Sequence, residues 1–362
     1  MEKVKVGIIG TGNISPAYIN GCRAFDILEL VACADMDMNK AAAAAKEHNI
    51  PKVLTVDEML ADPEIEFIVN LTIPAVHADV SLKIIAAGKH PYSEKPLAVS
   101  REDGYKVVQA AKDKGLLVGC APDTFLFGPH QTCRKLIDDG CIGKPVAAVA
   151  FMMGHGPESW HPNPDFFYQV GGGPLFDMGP YYITCLVNLL GPVKRVAAIT
   201  RACFPERVAK DGHKIPVQVA THVAGTLEFH SGAIATLINS FDIWKHQLPR
   251  MEVYGATGSL YVPDPNGYEN KVMMFQQGGE GWQQQPLSHG DDWKRGIGLA
   301  DMAYALRTGR THRASGELAY HVLDVMHCFD ESSHSGRHVE VESTCARPAA
   351  LPVGLPARQL DV

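Results

Sequence analysis

Val4-Lys5-Val6-Gly7-Ile8-Ile9-Gly10-Thr11-Gly12-Asn13-Ile14-Ser15 decides the fold. An apolar run with the length of a buried strand breaks into glycines and then into a helix-like segment, Ile14 to Ala24. The two glycines meet two demands of a dinucleotide site: a tight turn at Gly10 and close backbone approach to pyrophosphate at Gly12. Asn13 and Ile14, where the helix begins, complete the candidate phosphate contacts. Ser15 stands where a third glycine is usual, and a small residue there still lets helix and strand pack. A glycine-rich turn without a ligand is the bland alternative; the strand-turn-helix context argues against it.

Outward from this stretch, strand and helix patterns alternate. Leu28 to Ala34 is a second strand, and Asp35 follows it. An acid about 20 residues beyond the fingerprint binds the adenosine ribose hydroxyls and repels a 2′-phosphate. No arginine adjoins Asp35, so NAD is preferred over NADP; Asp37 is a rival acid with a solvated turn as its bland reading. Next come a helix at Asn39 to His48 capped by Asn39, a short strand at Val53, a helix at Val56 to Leu60 and a strand at Phe67 to Leu71. A helix near Val76 to Ala87, a strand near His90 to Ser93, a helix at Arg101 to Lys114 and a strand at Leu116 to Cys120 complete the series. Strands separated by helices predict a parallel, doubly wound sheet.

Ligands bind off the carboxyl edge of such a sheet. Thr72 and Pro74, after the strand at Phe67, are therefore expected to wall the nicotinamide ribose. His77 follows as either a cofactor residue or a helix cap. Glu94-Lys95-Pro96 follows the strand at His90 to Ser93. Alone it reads as an ordinary turn. In a dinucleotide fold it delivers a lysine, a proton donor or acceptor, beside the nicotinamide.

From about residue 121 the pattern changes. A helix at Gln131 to Asp139 leads into strands at Val146 to Met153, Val193 to Thr200, Val219 to Phe229, Ala233 to Phe241, Met251 to Tyr254 and Val272 to Gln276. Helices are expected at Pro180 to Leu190, Arg295 to Arg307 and Gly316 to Ser332, and Gly255-Ala256-Thr257-Gly258 is a turn. The expectation is an α/β domain at 1–121, then an α+β domain at 122–345 whose mostly antiparallel, open-faced sheet has helices on one side. An extended tail at 346–362, carrying Pro348, Pro352 and Pro356, is ordered only if it docks.

The net charge of −7 is interspersed rather than blocked, which argues against nucleic acid and against a polybasic membrane patch. No apolar run has the length of a membrane span. Nine scattered cysteines with no C-x-x-C pair, and no signal peptide, predict reduced thiols and a cytoplasmic location.

Gly171-Gly172-Gly173-Pro174-Leu175-Phe176-Asp177 reads as a glycine hinge entering a helix. Asp177 and Tyr181 are four apart and share a helix face, a carboxylate and a phenol suited to handling the proton of an alcohol. Tyr182 points to the core, and Asp177 as a simple N-cap is the bland reading. Two loops add candidate sugar contacts: Asp123 in Ala121-Pro122-Asp123-Thr124-Phe125, and His155, Trp160 and His161 in the stretch from His155 to Pro162. His155, Glu158 and His161 match no standard zinc spacing, so no metal is expected.

With the fingerprint, Gly88-Lys89-His90, Glu94-Lys95-Pro96 and the glycine-led Asp-x-Gly helix in place, the chain resembles the glucose-fructose oxidoreductase/inositol dehydrogenase/MocA-like family over nearly its whole length. The resemblance implies a Rossmann domain with an open-faced sheet domain, and oligomerisation, as dimer or tetramer, through that sheet. It implies Lys95 in catalysis, Glu94 beside it at the cofactor, and Asp177, with Thr184 further along the helix, at the substrate. Many members carry histidine where Tyr181 stands; some sugar dehydrogenases are similar to this chain in having tyrosine. A phenol titrates near 10 when unperturbed, and a nearby ammonium favours the phenolate. The implied activity is NAD-dependent oxidation of a hydroxyl of a sugar or cyclic polyol, with an aldose such as apiose among the substrates suggested. Lys95 and Tyr181 are the acid/base pair and Asp177 orients the sugar. The alternatives are a glycosidase that retains NAD and oxidises the ring transiently, and a non-catalytic sugar sensor that binds NAD.

Overall fold

Val4, Val6 and Ile8 are fully buried, as the apolar run that opens the chain requires. They lie in β1 (Val4–Ile9), the centre of a six-stranded parallel sheet that the computed structural model, which describes residues 1–290, 294–355 and 358–361, sets out in full. The other strands are β2 (Leu28–Ala34), β3 (Lys52–Val53), β4 (Phe67–Asn70), β5 (His90–Ser93) and β6 (Gly119–Cys120), in the order β3-β2-β1-β4-β5-β6. β1 pairs with β2 on one side and β4 on the other, so the strand order reverses at β1/β4, the place where doubly wound sheets bind ligands. The connecting helices are α1 (Ser15–Ala24), α2 (Met38–His48), α3 (Val56–Ala61), α4 (His77–Ala86) and α5 (Arg101–Asp113). Ile9, Val31, Ala34, Met59, Ile68 and Ile84 form one apolar cluster of sheet and helices.

Local chemistry sets several boundaries. Asp37, rather than Asn39, caps α2, accepting the Asn39 amide at 3.0 Å. The solvated acid thus has a structural task. Thr55 and Glu58 form a reciprocal capping box on α3. The last strand is shorter than expected because the Leu117 amide donates to His90 Nδ1 at 2.9 Å instead of joining the sheet.

The second sheet has nine strands. Its members are β7 (Pro145–Met153), β8 (Val193–Arg201), β11 (His222–Phe229), β12 (Ile234–Ser240), β13 (Met251–Gly255), β14 (Gly258–Val262), β15 (Met273–Gln276), β16 (Gln283–Gln284) and β17 (Val339–Glu340); β9 (Glu206–Val208) and β10 (Lys214–Pro216) form a separate hairpin. All its pairings are antiparallel except β7 with β12. The Gly255–Gly258 turn joins β13 to β14 as its sequence predicts. α6 is Gly128–Asp138, and α7 (Gly173–Leu190) packs on β7, β11 and β12. α7 begins earlier than the Pro180 start expected. Pro174 sits in its first turn, where no amide partner is needed, and Pro180 is accommodated inside.

The linear partition at 121 and 345 is corrected. One unit comprises Met1–Phe127, His289–Tyr320 and Pro348–Val362, and the other Gly128–Ser288 and His321–Arg347. α8 (Ile297–Thr308) thus belongs with the parallel sheet, and α9 (Gly316–Ser335) begins in the first unit and ends in the second. The tail docks on the first unit. Leu351 and Leu360 are buried, and the Arg313 guanidinium donates to the Ala349 and Ala350 carbonyls at 2.9 and 3.1 Å. Pro356 lies outside the described residues. Among the described residues no helix is long and apolar enough to cross a membrane.

Candidate active site

The glycine turn is built as the sequence demands. Gly10 has φ +98°, and a Cβ there would lie 2.7 Å from the Leu71 carbonyl oxygen, so only glycine fits between β1 and β4. At Gly12 a Cβ would meet nothing within 4 Å. No protein neighbour requires glycine at that place. Gly12 and Asn13 are exposed at the mouth of α1, with Ile14 at the N-cap position, which leaves room for the close approach of a phosphate group.

Asp35 follows β2 and faces the same turn. Its Oδ2 accepts from the Thr11 amide at 2.8 Å and the Thr11 hydroxyl at 3.0 Å, and its Oδ1 accepts from the Asp37 amide at 3.0 Å. Partial burial works to raise its pKa, but the Thr11 and Asp37 amides outweigh it and hold the carboxyl below its usual range. Asp35 is therefore a fixed anion beside the glycine turn.

The loop after β4 is organised by a residue the sequence reading passed over. Asn70, fully buried at the end of β4, accepts from the Thr72 hydroxyl at 2.6 Å and donates to the His77 carbonyl at 2.9 Å and the Ser81 hydroxyl at 3.2 Å. Thr72 and Pro74 remain partly exposed on that loop. His77 opens α4 with its ring buried. Its Nδ1 lies 2.7 Å from the Pro96 carbonyl oxygen and its Nε2 2.9 Å from that of Thr72. Both nitrogens face backbone, so the ring has no hydrogen-bonding atom left for a cofactor, and it caps nothing on its own helix. Burial lowers its pKa against the opposing pull of the two carbonyls.

Lys95 follows β5, with its amide donating to Glu94 Oε2 at 2.9 Å. Glu94 is itself buried, and its Oε1 accepts from the Tyr18 hydroxyl at 2.7 Å, with Arg295 Nη1 at 3.9 Å. Burial first, and then the Glu94 carboxylate, push the Tyr18 phenol well up, so Tyr18 is a permanent donor. With both oxygens hydrogen-bonded inside the protein, Glu94 anchors the lysine loop. The turns carrying Gly12, Thr72 and Lys95 all leave the carboxyl ends of parallel strands, β1, β4 and β5, on one edge of the sheet.

Asp123 is corrected. It is fully buried, and its Oδ2 accepts from the Gly296 and Gly298 amides at 2.8 and 3.0 Å where α8 begins. Burial raises its pKa against those two amides. Its place is a helix cap inside the first unit, not a sugar contact.

In the second unit Asp177 and Tyr181 stand one turn apart on α7, with Asp177 partly exposed and Tyr181 buried. Asp177 lies inside the helix, which rules out the N-cap reading. Thr184, the next turn on, is buried. Tyr182 is core as expected, its hydroxyl donating to Asp264 Oδ1 at 3.1 Å. His155 stacks on Trp244 at 3.4 Å between centroids, and Trp160 meets the His161 ring edge-on at 5.5 Å. Trp160 and Trp244 are 68% and 81% exposed, leaving aromatic faces open to a ligand. These loops rest on a buried ionic network that no short motif announced: Arg207 pairs with Glu158 and Asp242, and Tyr168 donates to Glu158. Among the described residues no group of three or more His, Cys, Asp or Glu could hold a metal.

Two models of one family match this chain. Residues 4–121 match an oxidoreductase family with an NAD-binding Rossmann fold, and residues 130–261 match the GFO/IDH/MocA C-terminal domain. The 1,5-anhydro-D-fructose reductase of Ensifer adhaerens is 29% identical, covering 84% of this chain and 96% of that protein. A D-xylose 1-dehydrogenase (NADP(+)) of Haloferax volcanii is 24% identical, covering 93% and 99%. A levoglucosan dehydrogenase solved with NADH and L-sorbose shares the fold, with a TM-score of 0.82 at 21% identity over 95% of this chain and 100% of that one. The fingerprint turn on its parallel sheet, the mostly antiparallel second sheet and both family matches make this chain a member of the GFO/IDH/MocA oxidoreductase family.

Proposed function

We propose that the protein is an NAD-dependent dehydrogenase that oxidises a hydroxyl of a sugar or cyclic polyol. The observation that carries this reading is the placing of the Gly12, Thr72 and Lys95 turns on one carboxyl edge of the first sheet, beside the Asp35 carboxylate. NAD, when bound, supplies the hydride acceptor. The amides at the start of α1 hold its phosphates, and Asp35 takes the adenosine ribose while repelling a 2′-phosphate. Thr72 and Pro74 border the nicotinamide ribose.

Lys95 and Tyr181 share the acid/base work. The substrate hydroxyl gives its proton to the Tyr181 phenolate or to the Lys95 amine, and the ammonium form of Lys95 favours phenolate on Tyr181. Asp177 and Thr184 orient the sugar, with His155, Trp160 and His161 offering ring faces and imidazole nitrogens to hydroxyls. The protein acts in the cytoplasm as a dimer or tetramer formed through the second sheet.

The test is a panel of aldoses, including apiose, with inositols and glycosides, each with NAD and with NADP. It is read as absorbance of reduced cofactor. Net NADH formation with a sugar or polyol supports the reading. Glycoside cleavage without added NAD and without net NADH overturns it in favour of the NAD-retaining glycosidase.

A further inference from the structure

Lys95 is held on both sides of its backbone. On one side its own amide, Tyr18 and Arg295 fix Glu94. On the other the Pro96 carbonyl meets the His77 ring, whose second nitrogen reaches the Thr72 carbonyl. Asn70 in turn fixes Thr72 and His77 from the end of β4. One buried imidazole thus ties the turn after β4 to the turn after β5. A carbonyl oxygen accepts and never donates, so the ring could donate to both only as imidazolium; with its pKa lowered by burial it is neutral, donates to one carbonyl and wedges against the other.

We propose that His77 is a positioning residue for Lys95. It clamps the Pro96 carbonyl to the Thr72 carbonyl, and so fixes where the Lys95 side chain leaves the sheet edge. This rests on the reading of Lys95 as an acid/base group. It differs from a cofactor-binding role, because neither ring nitrogen remains for a ligand. A lysine displaced by a fraction of an ångström to an ångström loses turnover steeply while substrate and cofactor still bind.

The experiment compares wild type with His77→Leu and His77→Gln in the full chain. Leucine fills the space without a donor, whereas the glutamine amide carries two N–H donors on one nitrogen. Two readouts are taken below the unfolding temperature: steady-state kinetics with NAD and the best substrate of the panel, and the pH dependence of Lys95 acetylation by acetic anhydride, followed by mass spectrometry with exposed Lys106 as internal reference.

The clamp predicts that His77→Leu lowers kcat about 100-fold with the NAD KM nearly unchanged, and that it shifts the Lys95 labelling profile while Lys106 labels as before. His77→Gln should restore most of both. Unchanged Lys95 labelling in folded His77→Leu overturns the proposal. So does a loss confined to the NAD KM, or a kcat that neither variant distinguishes from wild type. Should leucine prevent folding, a wild-type labelling profile in His77→Gln supports the clamp and a shifted one overturns it. Should no sugar turn over in wild type, the dehydrogenase reading fails, and Lys95 labelling still decides the clamp by itself.

Discussion

The Tyr18 hydroxyl donates to Glu94 at 2.7 Å, tying the helix that follows the glycine turn to the residue that precedes Lys95. One buried hydrogen bond thus joins the helix after the glycine turn to the lysine turn. Removing the hydroxyl leaves a buried carboxylate oxygen short of a donor. Tyr18→Phe should cost about 2 kcal/mol of stability, read by denaturant unfolding, and should lower kcat more than it raises the NAD KM. A stability equal to wild type would show that Glu94 does not depend on the phenol.

Asp35 predicts cofactor choice. Replacing Asp35 with Ala removes the fixed anion beside the glycine turn, so the ratio of kcat/KM for NAD over NADP should fall by about 10-fold or more. The comparison of the two cofactors on one substrate checks it. A ratio unchanged in Asp35→Ala would place the discrimination elsewhere.

Asp123 tests the corrected assignment. As a buried cap on α8, Asp123→Ala should cost about 2 kcal/mol or more, whereas Asp123→Asn keeps an acceptor for the Gly296 and Gly298 amides and should cost less. Neither should change the sugar KM at temperatures where the protein stays folded. A raised KM in folded Asp123→Asn would restore the substrate role first expected of it.

His321 gives the fold a pH limit. Its ring is buried, Nε2 accepts from the Val193 amide at 3.0 Å, and Nδ1 faces the Ser343 hydroxyl at 3.0 Å, so the neutral form fits. Burial pushes its pKa down from 6.5 to about 4. The folded value lies below the unfolded one. Its contribution is therefore fully present above pH 6.5 and is lost as pH falls towards about 4, by up to about 3 kcal/mol. Urea midpoints across that window should show the decline, and His321→Gln should flatten it.

How much of this was legible follows from particular residues. Val4–Ile9 and Leu28–Ala34 were readable to the residue because each is an apolar run, broken only by Lys5 and by Glu29 near its start, of the kind a buried parallel strand needs. The start of α7 was not, since glycines and Pro174 look like a hinge until the helix is seen to accept proline in its first turn. The unit boundaries were hidden because α8 and the tail join the parallel sheet from far along the chain. Gly10, Gly12, Asp35 and Lys95 were legible as strand-end residues of a known turn chemistry. Asn70, Tyr18 and the clamp role of His77 were not, for each acts through a partner distant in sequence or through a backbone carbonyl. Asp123 was misread because its burial leaves no local mark.

Asp177 and Tyr181 divide the work on one helix face. Asp177→Asn should raise the sugar KM with a smaller effect on kcat. Tyr181→Phe should lower kcat about 100-fold or more and remove the acidic limb of its pH profile, the rise in rate as the phenolate forms, the KM changing little.

The central claim is that Lys95 takes part in the proton transfer of a sugar dehydrogenase. Its most direct test measures Lys95→Ala twice, for NADH production with the best substrate of the panel and for NAD affinity by calorimetry. The account predicts turnover at background with an NAD Kd close to wild type. Turnover retained in Lys95→Ala would contradict it.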